Sequence, residues 1–125
     1  MKILLDTNFV VSCVKQKIDF INLAEELFDE KIEWVVLEGV LEELKKISER
    51  AGEKIKDRKA AKFGIEIIKN SDIKIIKSKC KNVDDAIIDY AANKKIVIAT
   101  LDKQLKKRVK NKILTIRKGK TLEIY

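Results

Sequence analysis

Met1-Lys2-Ile3-Leu4-Leu5-Asp6-Thr7-Asn8 is the stretch that decides the architecture. Ile3, Leu4 and Leu5 form a short apolar run without polar alternation, the pattern of a strand covered on both faces in a parallel sheet between helices. The run stops at a carboxylate and two small polar residues, and a helical apolar pattern resumes at Phe9, Val10 and Val11. Ligands of open α/β sheets bind in the crevice beyond the carboxyl ends of the strands. Asp6 stands at that lip, on the strand that reads as central. The competing reading is local: Asp6 or Thr7 as the cap of the following helix.

Working outward, Ile96-Val97-Ile98-Ala99 repeats the pattern and also ends at a polar lip, Thr100-Leu101-Asp102. Further strands are expected over 32–36, 73–76 and 113–116, with an edge strand or hairpin arm in 120–125. Helical spacing predicts helices from Phe9 towards Ile18, Asp19 to Phe28, Glu38 to Arg50, Glu53 to Asn70, Asp84 to Asn93 and Lys103 to Lys110. The first two read as a hairpin beside the sheet. The mixed faces around Trp34 place strand 32–36 away from the sheet centre. Ala60, Phe63, Ile67 and Ile68 form the expected inward stripe of the long helix, and Lys54, Lys56, Arg58, Lys59 and Lys62 its basic face. Strands alternating with helices make this an α/β chain with a mainly parallel sheet, and residues 1–125 read as a single domain.

Composition bounds the chemistry. Hydrophobic residues make up 46% and charged residues 38%, as in a soluble globular domain. No run is long enough for a membrane span and no signal peptide is evident, so no membrane partner is expected and the cytoplasm is the default compartment. The chain has no histidine, which removes Ser-His-Asp triads and ribonucleases that use paired imidazoles. Its two cysteines, Cys13 and Cys80, cannot build a zinc site and are expected to be buried apolar residues. No glycine-rich phosphate loop is present. Hydrolytic chemistry is thereby confined to carboxylates, lysine or a metal held by oxygen. The formal charge of +8, from 28 basic and 20 acidic residues, favours polyanionic partners.

Four carboxylates fall at element ends: Asp6 after the first strand, Glu43 in the first turns of the helix after the second, Asp84 opening the helix after the third, and Asp102 after the fourth. In a parallel sheet these positions lie at one edge, so all four can converge on one crevice. Converging carboxylates repel unless a cation joins them. Mg²⁺ or Mn²⁺, hard ions that take oxygen ligands, is the natural partner. A pair of such ions about 3.5–4 Å apart can activate a water and stabilise the leaving oxygen of a phosphodiester. Taken singly, each acid also has a structural role open to it: Asp84, Asp85 and Asp102 suit helix N-termini, and Glu43 beside Glu42 suits a solvated face.

Leu5-Asp6-Thr7-Asn8, Val40-Leu41-Glu42-Glu43-Leu44, Val83-Asp84-Asp85-Ala86-Ile87-Ile88-Asp89-Tyr90-Ala91 and Ile98-Ala99-Thr100-Leu101-Asp102 stand in an order and at separations that resemble the PIN-domain nucleases over essentially the whole chain. The resemblance implies a three-layer α/β/α sandwich around a mainly parallel sheet and Mg²⁺- or Mn²⁺-dependent cleavage of RNA. It assigns catalysis and metal binding to Asp6, Glu43, Asp84 and Asp102, favouring Asp84 over Asp85 at the third position. Thr7, Asn8, Thr100 and Asp85 are implied supporting groups. The segment Ala99 to Arg108 resembles the PIN proteins of small-subunit ribosomal RNA processing and their archaeal relatives, some of them toxins of VapBC-type pairs. RNA is thus the implied partner, together with an antitoxin protein or a second copy of the chain. Basic residues around Lys103 to Arg108 and Lys54 to Lys62 would orient the RNA backbone. The alternative is a PIN domain that binds RNA or ribosomes without turnover.

Overall fold

The structure, a computed structural model, describes residues 1–78 and 82–125. Cys80 and the middle of the connection 77–82 lie outside the described residues. In chain order the elements are β1 (Lys2–Leu5), α1 (Thr7–Lys15), α2 (Phe20–Leu27), β2 (Glu33–Leu37), α3 (Glu38–Glu49), α4 (Ile55–Asn70), β3 (Ile73–Ile76), α5 (Val83–Ala91), β4 (Ile96–Ala99), α6 (Lys103–Arg108), β5 (Ile113–Arg117) and β6 (Thr121–Ile124).

The strands form one six-stranded sheet in the order β3-β2-β1-β4-β5-β6. Every pairing is parallel except β5–β6. β1 is central, and Ile3, Leu4 and Leu5 have no exposed surface, because helices cover both faces. α1, α3 and α4 pack on one another over one face. The β3-α5-β4 and β4-α6-β5 crossovers advance in the opposite direction, and their right-handedness puts α5 and α6 on the other face. The result is the α/β/α sandwich with a mainly parallel sheet. Among the described residues, no helix is long and apolar enough to cross a membrane.

As expected, β2 lies outside the central β1–β4 pair, second from the β3 edge, and it is paired on both sides, to β1 and β3. Its apparently mixed faces come from Glu33 alone, since Trp34 to Leu37 are all buried. Phe63 does not point inward; it is 57% exposed, and the buried stripe of α4 is Ala60, Ala61, Gly64 and Ile68. Small residues occupy that stripe because α4 lies close against α1. A Cβ on Gly64 would come within 2.7 Å of the Val10 Cγ1 methyl. Cys13 is buried on α1 as expected, and burial pushes its thiol up to about 12, leaving it inert.

Gly64→Ala should therefore destabilise the protein even though alanine is the better helix former. Overpacking costs about 1–3 kcal/mol against a propensity gain of about 1 kcal/mol, so urea melts should show a net loss of about 1 kcal/mol. Adding Val10→Ala should cost less in that background than in the wild type. Additive costs would mean that the α1–α4 contact does not set the choice of glycine.

Candidate active site: an acidic crevice at the carboxyl edge

The chain leaves β1 towards β2 and returns on the other side at β4, which makes the carboxyl ends of β1 and β4 the switch point of the sheet. The register pairs Leu5 with Ala99, so the residues that follow, Asp6 and Thr100, lie side by side. The Asp6 N–H donates to the Ala99 carbonyl at 2.9 Å, extending the ladder by one bond. The Thr100 hydroxyl then donates to Asp6 Oδ2 at 2.6 Å, and the Thr7 N–H donates to Oδ1 at 2.8 Å. Asp6 is also the N-cap of α1, so the local reading and the crevice reading hold together.

The neighbouring groups are fixed in turn. The Thr7 hydroxyl donates to Glu43 Oε1 at 2.5 Å, tying α3 to the start of α1. Asn8 Oδ1 accepts from the Leu101 N–H at 3.0 Å. The Asp102 N–H donates to Thr100 Oγ1, while Asp102 Oδ1 accepts from the N–H groups of Gln104 and Leu105 and caps α6. Asn82, not Asp84, caps α5. Asp84 is the second residue of that helix and turns into the crevice, whereas Asp85 turns away and pairs with Arg108.

Asp6, Glu43, Asp84 and Asp102 line one crevice of about 450 Å³, with Thr7 and Asn8 beside them. Val11, Ser12, Ile47, Arg50, Glu53 and Asp57 continue it between α1, α3 and α4. Sequence reasoning missed this extension. Only the Arg50–Glu53 pair left a signal, its i,i+3 spacing, and the rest depends on how α1 meets α4. Among the described residues, none of the four acids has a lysine or arginine in ion-pair contact.

Burial pushes Asp6 up to about 6. The hydrogen bonds from Thr100 and Thr7 pull the other way, and the charges of Asp84 and Glu43 push further up. Asp84 is also raised, first by burial and then by Asp102 and Glu43, with Arg108 opposing. The donor set therefore fits a hard divalent cation: oxygen ligands only, with mutual repulsion that a cation would relieve. As they stand, no three Cys, Asp or Glu side chains among the described residues are gathered closely enough to hold an ion.

A mainly parallel α/β/α sandwich with this acidic crevice at its switch point is the architecture of a PIN-like domain. The chain belongs to that family: the family model described as a PIN like domain matches residues 3–118. Among curated relatives, Ribonuclease VapC4 of Methanocaldococcus jannaschii is 32% identical over 128 aligned residues, covering 99% of this chain and 96% of that protein. Among solved structures, that of the PIN domain endonuclease Utp24 superposes with a TM-score of 0.80 at 25% identity, covering 98% of this chain and 90% of that one.

The Asp6 shift has a defined sign. Its folded value lies above the roughly 3.9 of an unfolded aspartate, so its stabilising contribution is full below pH 4 and is lost as pH rises through about 6. In buffer free of divalent ions, the wild type should lose about 1–2 kcal/mol relative to Asp6→Asn between pH 5 and pH 7.5. Urea melts at the two pH values measure it. Parallel pH dependence in the two proteins would show that Asp6 ionises as freely as in water.

Proposed function

We propose that this protein is a Mg²⁺- or Mn²⁺-dependent endoribonuclease whose site is the crevice acids Asp6, Glu43, Asp84 and Asp102. The observation that carries the proposal is Asp6, a carboxylate 4% exposed, without a cationic partner among the described residues, facing three further acids across one crevice. Burying an anion this way is costly unless a ligand uses it. The names ribonuclease and endonuclease carried by its relatives support the same chemistry.

The four acids would hold one or two divalent ions, which when bound supply an activated water and neutralise charge on the phosphodiester. Thr100 and the Thr7 N–H fix both oxygens of Asp6, so that carboxylate keeps one orientation. The Thr7 hydroxyl restrains Glu43 on the facing helix. Asn8 holds the β4–α6 turn through Leu101 and so sets where Asp102 stands. Basic residues of α6 and α4 orient the RNA backbone, which positions the strand without reading its sequence.

In biological role the chain fits an rRNA-processing nuclease or the toxin of a VapBC-type pair. The toxin role adds an antitoxin as partner, and a homodimer is compatible with either. The second reading, RNA or ribosome binding without turnover, would draw on the basic residues of α6 and α4 alone.

Cleavage of structured RNA should require Mg²⁺ or Mn²⁺ and stop in EDTA. Asp6→Asn should abolish it, and Thr100→Val, which removes the hydroxyl that holds Asp6 and accepts from the Asp102 N–H, should cost roughly 10–100-fold. Mg²⁺ should also raise the melting temperature of the wild type and not of Asp6→Asn, by mass action on the folded state. RNA binding that survives EDTA, with no cleavage at any metal concentration, would establish the second reading.

A further inference from the structure

The crevice poses an electrostatic difficulty for its proposed substrate. Six carboxylates line it, four of them without an ion-pair partner among the described residues, and each RNA phosphate brings another negative charge. A divalent ion relieves this at the scissile phosphate, but the flanking phosphates need cations from the protein. On the α3–α4 rim, Arg50 pairs with Glu53 at 3.0 Å and Lys15 with Asp57 at 2.7 Å, and those acids themselves line the crevice. Arg50 and Lys15, the cations of these pairs, are thus already matched by acids. The α6 rim differs: Lys103, Lys106, Lys107 and Arg108 share a six-residue helix that contains no acid.

Within that helix Arg108 stands apart. Its Nη2 meets Asp85 Oδ1 at 3.0 Å, and both side chains are more than half exposed. An exposed pair of this kind contributes little to stability, so the fold does not depend on it. Helix geometry explains the arrangement. Successive residues on α5 are turned about 100° apart, so Asp84 faces the crevice while Asp85 faces α6. Arg108 is thereby held next to a crevice acid without occupying the crevice. It is also the cation that offsets the upward push on Asp84. A guanidinium has five N–H donors, and among the described residues only Nη2 of Arg108 is engaged. Its free edge matches the two oxygens of a phosphate.

We propose that Arg108 grips the RNA phosphate next to the one being cleaved, and that Asp85 is the positioning residue that holds its guanidinium at the crevice rim. This deepens the nuclease reading and rests on it for the identity of the strand. It also gives the RNA strand a path out of the crevice over α6.

The test reads binding separately from cleavage. Affinity for a labelled single-stranded oligoribonucleotide is measured by fluorescence anisotropy in Mg²⁺, in the Asp6→Asn protein, across a salt series. Arg108→Ala should weaken binding roughly tenfold and flatten the log–log salt dependence by about 0.7. Arg108→Lys should recover only part of the loss, because lysine keeps the charge and lacks the fork. Lys95→Ala, which removes the same charge at the opposite edge of the sheet beside Ile96, should change little.

Asp85→Asn gives the sharper contrast. Removing a negative charge should strengthen RNA binding if only net charge matters, whereas loss of the positioning contact should weaken it several-fold, and only while Arg108 is present. Unchanged binding in Arg108→Ala, or an equal loss in Lys95→Ala, would overturn the proposal. A gain in Asp85→Asn would remove Asp85 from it. If the wild type cleaves nothing while Arg108→Ala still loses affinity, the nuclease reading fails and the phosphate grip stands.

Discussion

The structure depends on one compromise, the burial of a carboxylate at the end of its most buried strand. Ile3, Leu4 and Leu5 are wholly enclosed, and each large aliphatic so buried contributes about 1.5–3 kcal/mol. Asp6 follows without a break and is drawn in with them. Its rise to about 6 corresponds to a cost of about 3 kcal/mol when it is ionised at neutral pH. The aliphatic run outweighs that cost, so the strand can carry the acid into the sheet edge. The hydrogen bonds that soften the cost also do structural work: Thr100 joins β4 to β1, and the Thr7 N–H starts α1.

The same compromise explains how a protein of net charge +8 carries an acidic crevice. Screening limits exposed charges to about 8–10 Å at ordinary salt, so the outer lysines hardly offset the buried acids. The two signs act at different ranges. The basic exterior raises the local concentration of a polyanion, and the carboxylates act only on what enters the crevice. The α6 helix joins these ranges, since Asp102 begins it at the crevice and Arg108 ends it at the rim.

Much of this was legible in the sequence because the deciding features are local. Unbroken aliphatic runs marked β1 and β4, and each ended at the acid or hydroxyl that the sheet edge needed. Register was not legible, yet it alone sets Asp6 against Thr100. The mixed faces of β2 reduce to one exposed glutamate at its start, which imitates alternation in a strand otherwise buried. Phe63 was misassigned because α4 approaches α1 too closely for a ring on the facing side, and the small residues that permit this approach carry little hydrophobic signal. The resemblance favours Asp84 over Asp85, but the physical reason for a difference between adjacent acids is not in the spacing. Their difference is a rotation about the α5 axis, fixed by Ala86, Ile87 and Ala91 packing against the core.

Helix capping and ligand binding are often treated as rival explanations of an acid at a helix start, but here they divide the work. Asp6 and Asp102 spend hydrogen bonds on backbone N–H groups, which fixes their orientation and leaves lone pairs directed at the crevice. Glu43 is restrained on one oxygen by Thr7, on a longer side chain, and Asp84 has no hydrogen bond among the described residues. The crevice thus pairs two acids anchored by backbone N–H groups with two that are not. Four rigid carboxylates at ligating distance would repel strongly whenever no cation was bound. On the proposed reading a bound cation would relieve that repulsion, and Glu43 and Asp84, the acids without backbone N–H partners, are the ones the fold holds least.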